Sequence, residues 1–316
     1  MTPCNDPDPC ARTRVARACP FLERFPLKPT LVAIVLASFA LAPLTDAAAQ
    51  RAPAPDTLGK IKSAKAINVA FSGDSLPFSF VGDGNKPAGY SIDLCQKVIN
   101  AVGRAVGEPN LTVNWIPGTA AERVQMVASG KADMECANTT QTQSRLKDVD
   151  FSNLIFVDGG GFAVRSDAPI NSFADLSGKK IAVIKGTTTE QRLNAALKQR
   201  LVNAQVVTVN EGGEGIAMLG SGGVDAYAGD KIKLIGLVAQ AKEPDKYAML
   251  VEDLSFEPYA FAIPRGDSAY RLEVNKALTQ VYLGGEIDGI FTKWLGKLGR
   301  PSGLLAAMYL LNAIPE

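Results

Sequence analysis

Short apolar–polar alternations and longer apolar repeats at helical spacing succeed one another along most of the chain, the pattern of an α/β protein with mainly parallel strands. Ile67 to Phe71 reads as a buried strand, and Ile92, Cys95, Val98, Ile99, Val102 and Val106 recur at helical spacing behind Gly89-Tyr90. Leu111, Val113 and Trp115 alternate as a second strand, Ala120 to Ser129 predicts a helix, and Ala132 to Ala137 predicts a third strand. A second cluster repeats the layout. It predicts strand Lys180 to Ile184, helix Thr189 to Arg200, strand Gln205 to Val209, helix Gly213 to Ser221 and strand Asp225 to Ala228. Two apolar, strand-like segments, Phe156 to Val164 and Met249 to Pro264, join the clusters, and the last helices, Ser268 to Leu283 and Glu286 to Leu298, return to the first. The expectation is two lobes, residues 57–157 with 254–316 and residues 158–253, linked by two crossings. Strand carboxyl ends then face a cleft, where open α/β sheets bind ligands and where a hinge can close.

The first fifty residues break this pattern. Arg12, Arg14, Arg17, Arg24 and Lys28 precede the apolar run Leu31 to Leu44, which is followed by Ala47-Ala48-Ala49. That is the grammar of a secretory signal, and the run is shorter than the roughly 20 residues needed to span a bilayer. Residues 1–49 are therefore expected to be a signal peptide cleaved after Ala49, with an uncleaved anchor as the competing reading. Residues 50–56, rich in Pro and Ala, read as a flexible lead-in. No cysteine adjoins the cleavage point to accept a lipid, so a freely diffusing, exported monomer is expected.

Composition narrows the partners. The 316 residues are 47% hydrophobic and 21% charged, with a formal net charge of +1 and no histidine. Removing the leader's five basic and four acidic residues leaves 28 of each sign. A near-neutral surface without same-sign runs argues against nucleic acid and against a polybasic membrane patch, and points to a small ligand. Cys4, Cys10 and Cys19 fall in the leader; Cys95 and Cys136 remain, and spacing leaves a disulfide and two buried thiols equally open. There is no CxxC, nucleophile elbow or phosphate loop, so no metal and no cofactor are expected.

Three stretches carry candidate chemistry. Residues 138–145, Asn-Thr-Thr-Gln-Thr-Gln-Ser-Arg, follow a predicted strand. There the hydroxyl and amide of Thr140 and the planar fork of Arg145 can converge on a carboxylate, although a polar turn with a solvated arginine has the same spacing. Gly186-Thr187-Thr188-Thr189-Glu190 joins a strand to a helix. Its free amides suit an anion, while plain capping by a threonine needs nothing more. Asp230 opens a helix, either as a cap or as a carboxylate facing an ammonium.

A resemblance then adds to these readings. Pro77-Phe78-Ser79-Phe80, Gly89-Tyr90-Ser91-Ile92-Asp93-Leu94, the Thr140 to Arg145 loop, Asp150-Phe151-Ser152 and Asp175-Leu176-Ser177-Gly178-Lys179-Lys180-Ile181-Ala182-Val183 stand in one order. Together they resemble the family 3 solute-binding proteins of bacterial polar amino-acid ABC transporters, over about residues 57 to 300. Glu135-Cys136 followed by Thr139-Thr140, with Arg123 upstream, is most similar to the glutamate/aspartate-binding branch.

The resemblance implies a type II periplasmic-binding-protein fold and a periplasmic protein that captures an L-amino acid and docks on an inner-membrane ABC permease. It implies Arg145 and Thr140 on the ligand α-carboxylate from the first lobe, Thr187 and Thr188 closing on it from the second, and Asn138 and Asp230 on the ammonium. Arg123 matches the branch's grip on a distal carboxylate. Elsewhere the chain departs from that branch: Ser72 replaces a second arginine, Ala120 a serine, and Gly212 a histidine. Ser75 and Ala120 stand where other branches place aromatic residues around the ligand. The implied ligand is glutamate, aspartate or another polar amino acid. Two other readings stay open: an exported enzyme of this fold similar to cyclohexadienyl dehydratase, and a sensor presenting its ligand to a receptor.

Overall fold

The computed structural model describes residues 55–315; the signal peptide expected over residues 1–49 lies outside them, as does most of the lead-in. Asp56 caps the first helix, α1 (Thr57–Ala64), by accepting a hydrogen bond from the Gly59 amide. The chain then enters β1 (Ala66–Phe71). A small antiparallel sheet of β2 (Asp74–Ser75), β3 (Ser79–Val81) and β4 (Pro87–Ala88) follows. Next come α2 (Tyr90–Ala105), β5 (Thr112–Pro117), α3 (Ala120–Ala128) and β6 (Met134–Glu135). The long β7 (Val149–Arg165) leads into β8 (Lys180–Ile184), α4 (Thr188–Gln199), β9 (Gln205–Val209), α5 (Gly212–Gly220), β10 (Ala226–Asp230) and α6 (Lys231–Ala239). β11 (Tyr247–Met249) and β12 (Ser255–Pro264) precede α7 (Ser268–Leu283), α8 (Glu286–Leu295) and α9 (Gly303–Asn312).

The strands join in the order β5-β1-β6-β12-β7-β10-β8-β9. β1 pairs in parallel with β5 and β6, and β8 pairs in parallel with β9 and β10. The two crossings, β7 and β12, run antiparallel to each other, so the mainly parallel sheet expected from the sequence holds within each lobe and is replaced at the junction. Periodicity cannot distinguish the two, because a strand buried on both faces is apolar whichever way its neighbour runs.

Burial follows the same division. On one face of β1, Ile67 and Val69 pack with Leu94, Val98 and Val102 of α2, with Val274 and Leu278 of α7 and with Phe291 of α8. Its other face packs Ala70 against Val127 of α3 and Phe151. In the second lobe, Phe162, Ile181, Val183 and Leu193 form one layer, and Ala182, Leu219, Tyr227 and Leu234 the other. Each lobe is thus a sheet covered by helices on both faces, the arrangement that buries parallel strands.

Several elements differ from the expectation: the crossing expected over Phe156 to Val164 extends over Val149–Arg165, and the one expected over Met249 to Pro264 divides into β11 and β12. The strand expected over 132–137 pairs only at Met134–Glu135, because Cys136 onward turns out of the ladder to build the loop described below. The helix expected over 286–298 ends at Leu295 and tightens into a 3₁₀ turn before Gly299, whose φ of 103° ends it. Helix α9, beyond the expected elements, buries Leu305, Met308 and Tyr309, with the Tyr309 and Tyr90 hydroxyls 2.8 Å apart. Cys95 of α2 and Cys136 are joined by a disulfide, their Cα atoms 6.0 Å apart, which closes the alternative of free thiols.

Candidate functional site

β1, β6, β8, β9 and β10 all deliver their carboxyl ends to one cavity between the lobes, where connecting loops can turn side chains inward. From the first lobe come Ser72, Asp74 and Ser75 after β1, Ala120 and Arg123 of α3, and Asn138, Thr139, Thr140 and Arg145 after β6. The second lobe contributes Thr187, Thr188 and Thr189 at the start of α4, Asn210 after β9, and Asp230, Lys233 and Leu234 across the β10–α6 junction. The space amounts to about 670 Å³ including its opening to solvent. All eight residues singled out in the sequence, Ser72, Arg123, Asn138, Thr140, Arg145, Thr187, Thr188 and Asp230, line it.

The lobes meet across this space through direct bonds. Asn138 donates from Nδ2 to Asp230 Oδ2 (3.2 Å), and the hydroxyls of Thr140 and Thr188 lie 3.4 Å apart. The Gly212 amide donates to Asp74 Oδ2 (2.6 Å), and Lys233 Nζ donates to Ser75 Oγ (3.2 Å).

Arg145 turns inward rather than to solvent. One of its terminal nitrogens donates to the Thr140 carbonyl (2.7 Å), which ties the loop's two candidate residues together. Burial pulls its guanidinium below the usual arginine value against the opposing pull of Glu135. Arg123 is 3% exposed and donates from Nε to Glu135 Oε1 (2.8 Å) and from a terminal nitrogen to the Gly118 carbonyl (3.0 Å). Glu135 Oε1 also accepts from Thr139 Oγ1 (2.7 Å). A buried arginine held on one side by a carboxylate is fixed in orientation, with its remaining edge free for a ligand.

The two capping questions resolve differently. Thr187 caps α4: its hydroxyl donates to the Ile184 carbonyl (2.7 Å) and accepts from the Glu190 amide (3.2 Å). That hydroxyl is occupied, so the group expected to close on a carboxylate from Thr187 can only be its amide. The amides at the start of α4 lack intrahelical acceptors, as at every helix start. Asp230 occupies the cap position of α6 yet its side chain makes no cap bond. Its carboxylate instead accepts from Tyr259 Oη (2.6 Å), Thr189 Oγ1 (2.9 Å) and Asn138.

Several site residues were invisible to spacing. Glu257, 1% exposed on the crossing β12, accepts from Thr140 Oγ1 (2.5 Å) and Thr188 Oγ1 (2.8 Å), bridging the lobes behind the cavity. Burial, and then Asp230 nearby, push its carboxyl above the usual range. Asp74 and Lys233 form an ion pair at 3.7 Å. A lone acid in an apolar strand and a lysine three residues past Asp230 carry no local signal; their meaning comes from the lobe opposite. Among the described residues no group of three or more His, Cys, Asp or Glu side chains is placed to hold a metal ion.

Residues 67–297 match the family described as bacterial extracellular solute-binding proteins, family 3. The chain is 36% identical over 249 residues to the L-glutamate/L-aspartate-binding protein of Pseudomonas aeruginosa, covering 78% of this chain and 82% of that one. It is 32% identical over 268 residues to the glutamate/aspartate import solute-binding protein of Escherichia coli, covering 84% and 88%. Among solved structures it is similar to the ancestral amino acid-binding protein AncCDT-1, a precursor of cyclohexadienyl dehydratase. That likeness has 30% identity and a TM-score of 0.65 and covers 76% of this chain and 99% of that one.

Proposed function

Because the chain belongs to the bacterial extracellular solute-binding proteins of family 3, we propose that it captures an L-amino acid between its lobes and hands it to the permease of an ABC importer. The observation that carries this reading is the placement of complementary groups around one cavity. Arg145, the Thr140 amide and the amides opening α4, that of Thr188 among them, offer donors to an α-carboxylate, and Asp230 offers a carboxylate to the ammonium. A zwitterion stripped of water needs both charges met, and a cleft supplying only one would not hold it.

The ligand we assign is a dicarboxylic amino acid, glutamate or aspartate. Arg123 and Arg145 line the cavity together with Lys233, and Arg123, although bonded to Glu135 on one side, keeps an edge for a second ligand carboxylate. The names of the two curated relatives agree with an acidic ligand. Binding rather than catalysis is favoured by Asp230: three donors converge on its carboxylate and hold it oriented toward the cavity, where a ligand ammonium can meet it. The basic and apolar leader supports export to the periplasm, and no helix among the described residues is long and apolar enough to cross a membrane.

Titration calorimetry of the purified protein against a panel of L-amino acids tests this reading, with glutamate and aspartate expected to bind most tightly. Silence across the panel, with prephenate or arogenate turned over to an aromatic product, would replace it with the enzymatic alternative.

A further inference from the structure

The cavity also holds an ion pair of unusual construction. Lys233 is 8% exposed, although lysine is among the residues least often buried without a full complement of partners. An ammonium has three donors to satisfy. Here Nζ has one hydrogen bond, to Ser75 Oγ at 3.2 Å, and its carboxylate partner Asp74 stands back at 3.7 Å. Asp74 itself is bonded elsewhere, with Oδ2 accepting from the Gly212 amide at 2.6 Å and Oδ1 from Ser72 Oγ at 3.1 Å.

Gly212 makes room for this arrangement. A Cβ at that position would lie 3.3 Å from Lys233 Cε and 2.8 Å from Leu237 Cδ1, so a side chain there would press on the lysine stem and on Leu237. In the same cavity, Arg123 is pinned by Glu135 and the Gly118 carbonyl. Two cations from opposite lobes therefore flank this space, Arg123 closely paired with Glu135 at 2.8 Å and Lys233 with Asp74 standing back at 3.7 Å. Burial pulls the Lys233 ammonium below its usual value, against the opposing charge of Asp74, so a second carboxylate within reach would complete an underserved charge.

We infer that Lys233 is the residue that selects a ligand bearing a second carboxylate, with Asp74 as the internal counter-ion that such a ligand partly displaces. The inference rests on the amino-acid-binding reading above and extends it to the atom that distinguishes an acid from its amide. An amide ligand presents a neutral group that cannot replace Asp74 at the ammonium, whereas a carboxylate can. Since lobe two supplies Lys233, the discrimination operates as the lobes close.

Calorimetry with glutamate and glutamine, and with aspartate and asparagine, on wild type, Lys233→Met and Asp74→Asn tests it through the acid-to-amide affinity ratio. The expected result is a ratio lowered roughly 30-fold or more in Lys233→Met, the scale of losing one partner of a buried charge pair, and raised in Asp74→Asn. Opposite movements in neighbouring variants cannot arise from a shared folding defect. If Lys233→Met does not fold, a ratio in Asp74→Asn that stays at the wild-type value overturns the inference. Equal loss of both ligands in both variants would reduce the pair to a latch between lobes. A wild type preferring the amides would overturn the role of Lys233 alone, and a wild type binding no amino acid would overturn the binding reading with it.

Discussion

Tyr259 donates its hydroxyl to Asp230 Oδ2 at 2.6 Å, so a fully buried residue of one crossing strand fixes the carboxylate that faces the cavity. Because the bond originates in the hinge, Asp230 is oriented by the element about which the lobes move. Replacing Asp230 by Asn keeps its shape and removes its charge, leaving a ligand ammonium in the closed cleft without its counter-ion. Affinity for every amino acid ligand is expected to fall by about 2–5 kcal/mol, as read by calorimetry. An unchanged dissociation constant would move the ammonium site elsewhere.

Arg145 is the corresponding test at the carboxylate end. Its guanidinium is held against the Thr140 carbonyl, so it is already oriented before a ligand arrives and little side-chain entropy is lost on binding. Arg145→Ala should cost about 2–5 kcal/mol of affinity without a comparable loss of thermal stability. Should the protein instead unfold at markedly lower temperature with affinity intact, Arg145 would be a structural brace for its loop and not a ligand contact.

Much of this architecture was legible from patterning. Lys180–Ile184, Gln205–Val209 and Ser268–Leu283 have the limits expected from the sequence, because each is bounded by a local break and carries one clear period. β6 was overestimated because Cys136 and Ala137 are apolar and buried, yet lie past the paired residues on the way into the Asn138–Arg145 loop; hydrophobicity reports burial and not pairing. The site divided along the same line. Groups on strand-end loops, such as Thr140 and Arg145, declare themselves by position. Asp74, Lys233 and Glu257 acquire their roles from partners 138, 158 and 117 residues away in Gly212, Ser75 and Thr140, and no window along the chain contains both halves.

The disulfide between Cys95 and Cys136 fastens α2 to the root of the Asn138–Arg145 loop, with a sequence separation of 41 between its ends. Cross-linking a loop of that length restricts the unfolded chain by about 4 kcal/mol on the chain-entropy account. Substituting both cysteines by Ala is expected to lower stability to denaturant by about 2–4 kcal/mol, and reducing agent should lower the melting temperature of the wild type but not of the double variant. Identical melting with and without reductant would show that the pair is not cross-linked in solution.

Asp158, on the crossing β7, gives the protein a pH signature of its own. Burial, followed by the nearby Asp230, raises its carboxyl from the usual 3.8 to about 7. The geometry explains why a proton is retained: Asp158 Oδ2 lies 3.2 Å from the same Tyr259 hydroxyl that Asp230 receives, and one hydrogen cannot serve two carboxylates. The folded state therefore holds a proton that the unfolded chain has already released across the window from about pH 4 to about pH 7. Stability contributed by this group is full below pH 4 and is lost as pH rises through 7, on the order of 4 kcal/mol in all. Denaturant titrations between pH 5 and pH 8 should show wild-type stability falling relative to Asp158→Asn, a variant with no proton to lose. Parallel pH profiles for the two proteins would mean that Asp158 is ionised throughout, and that the hinge carries two charged carboxylates side by side.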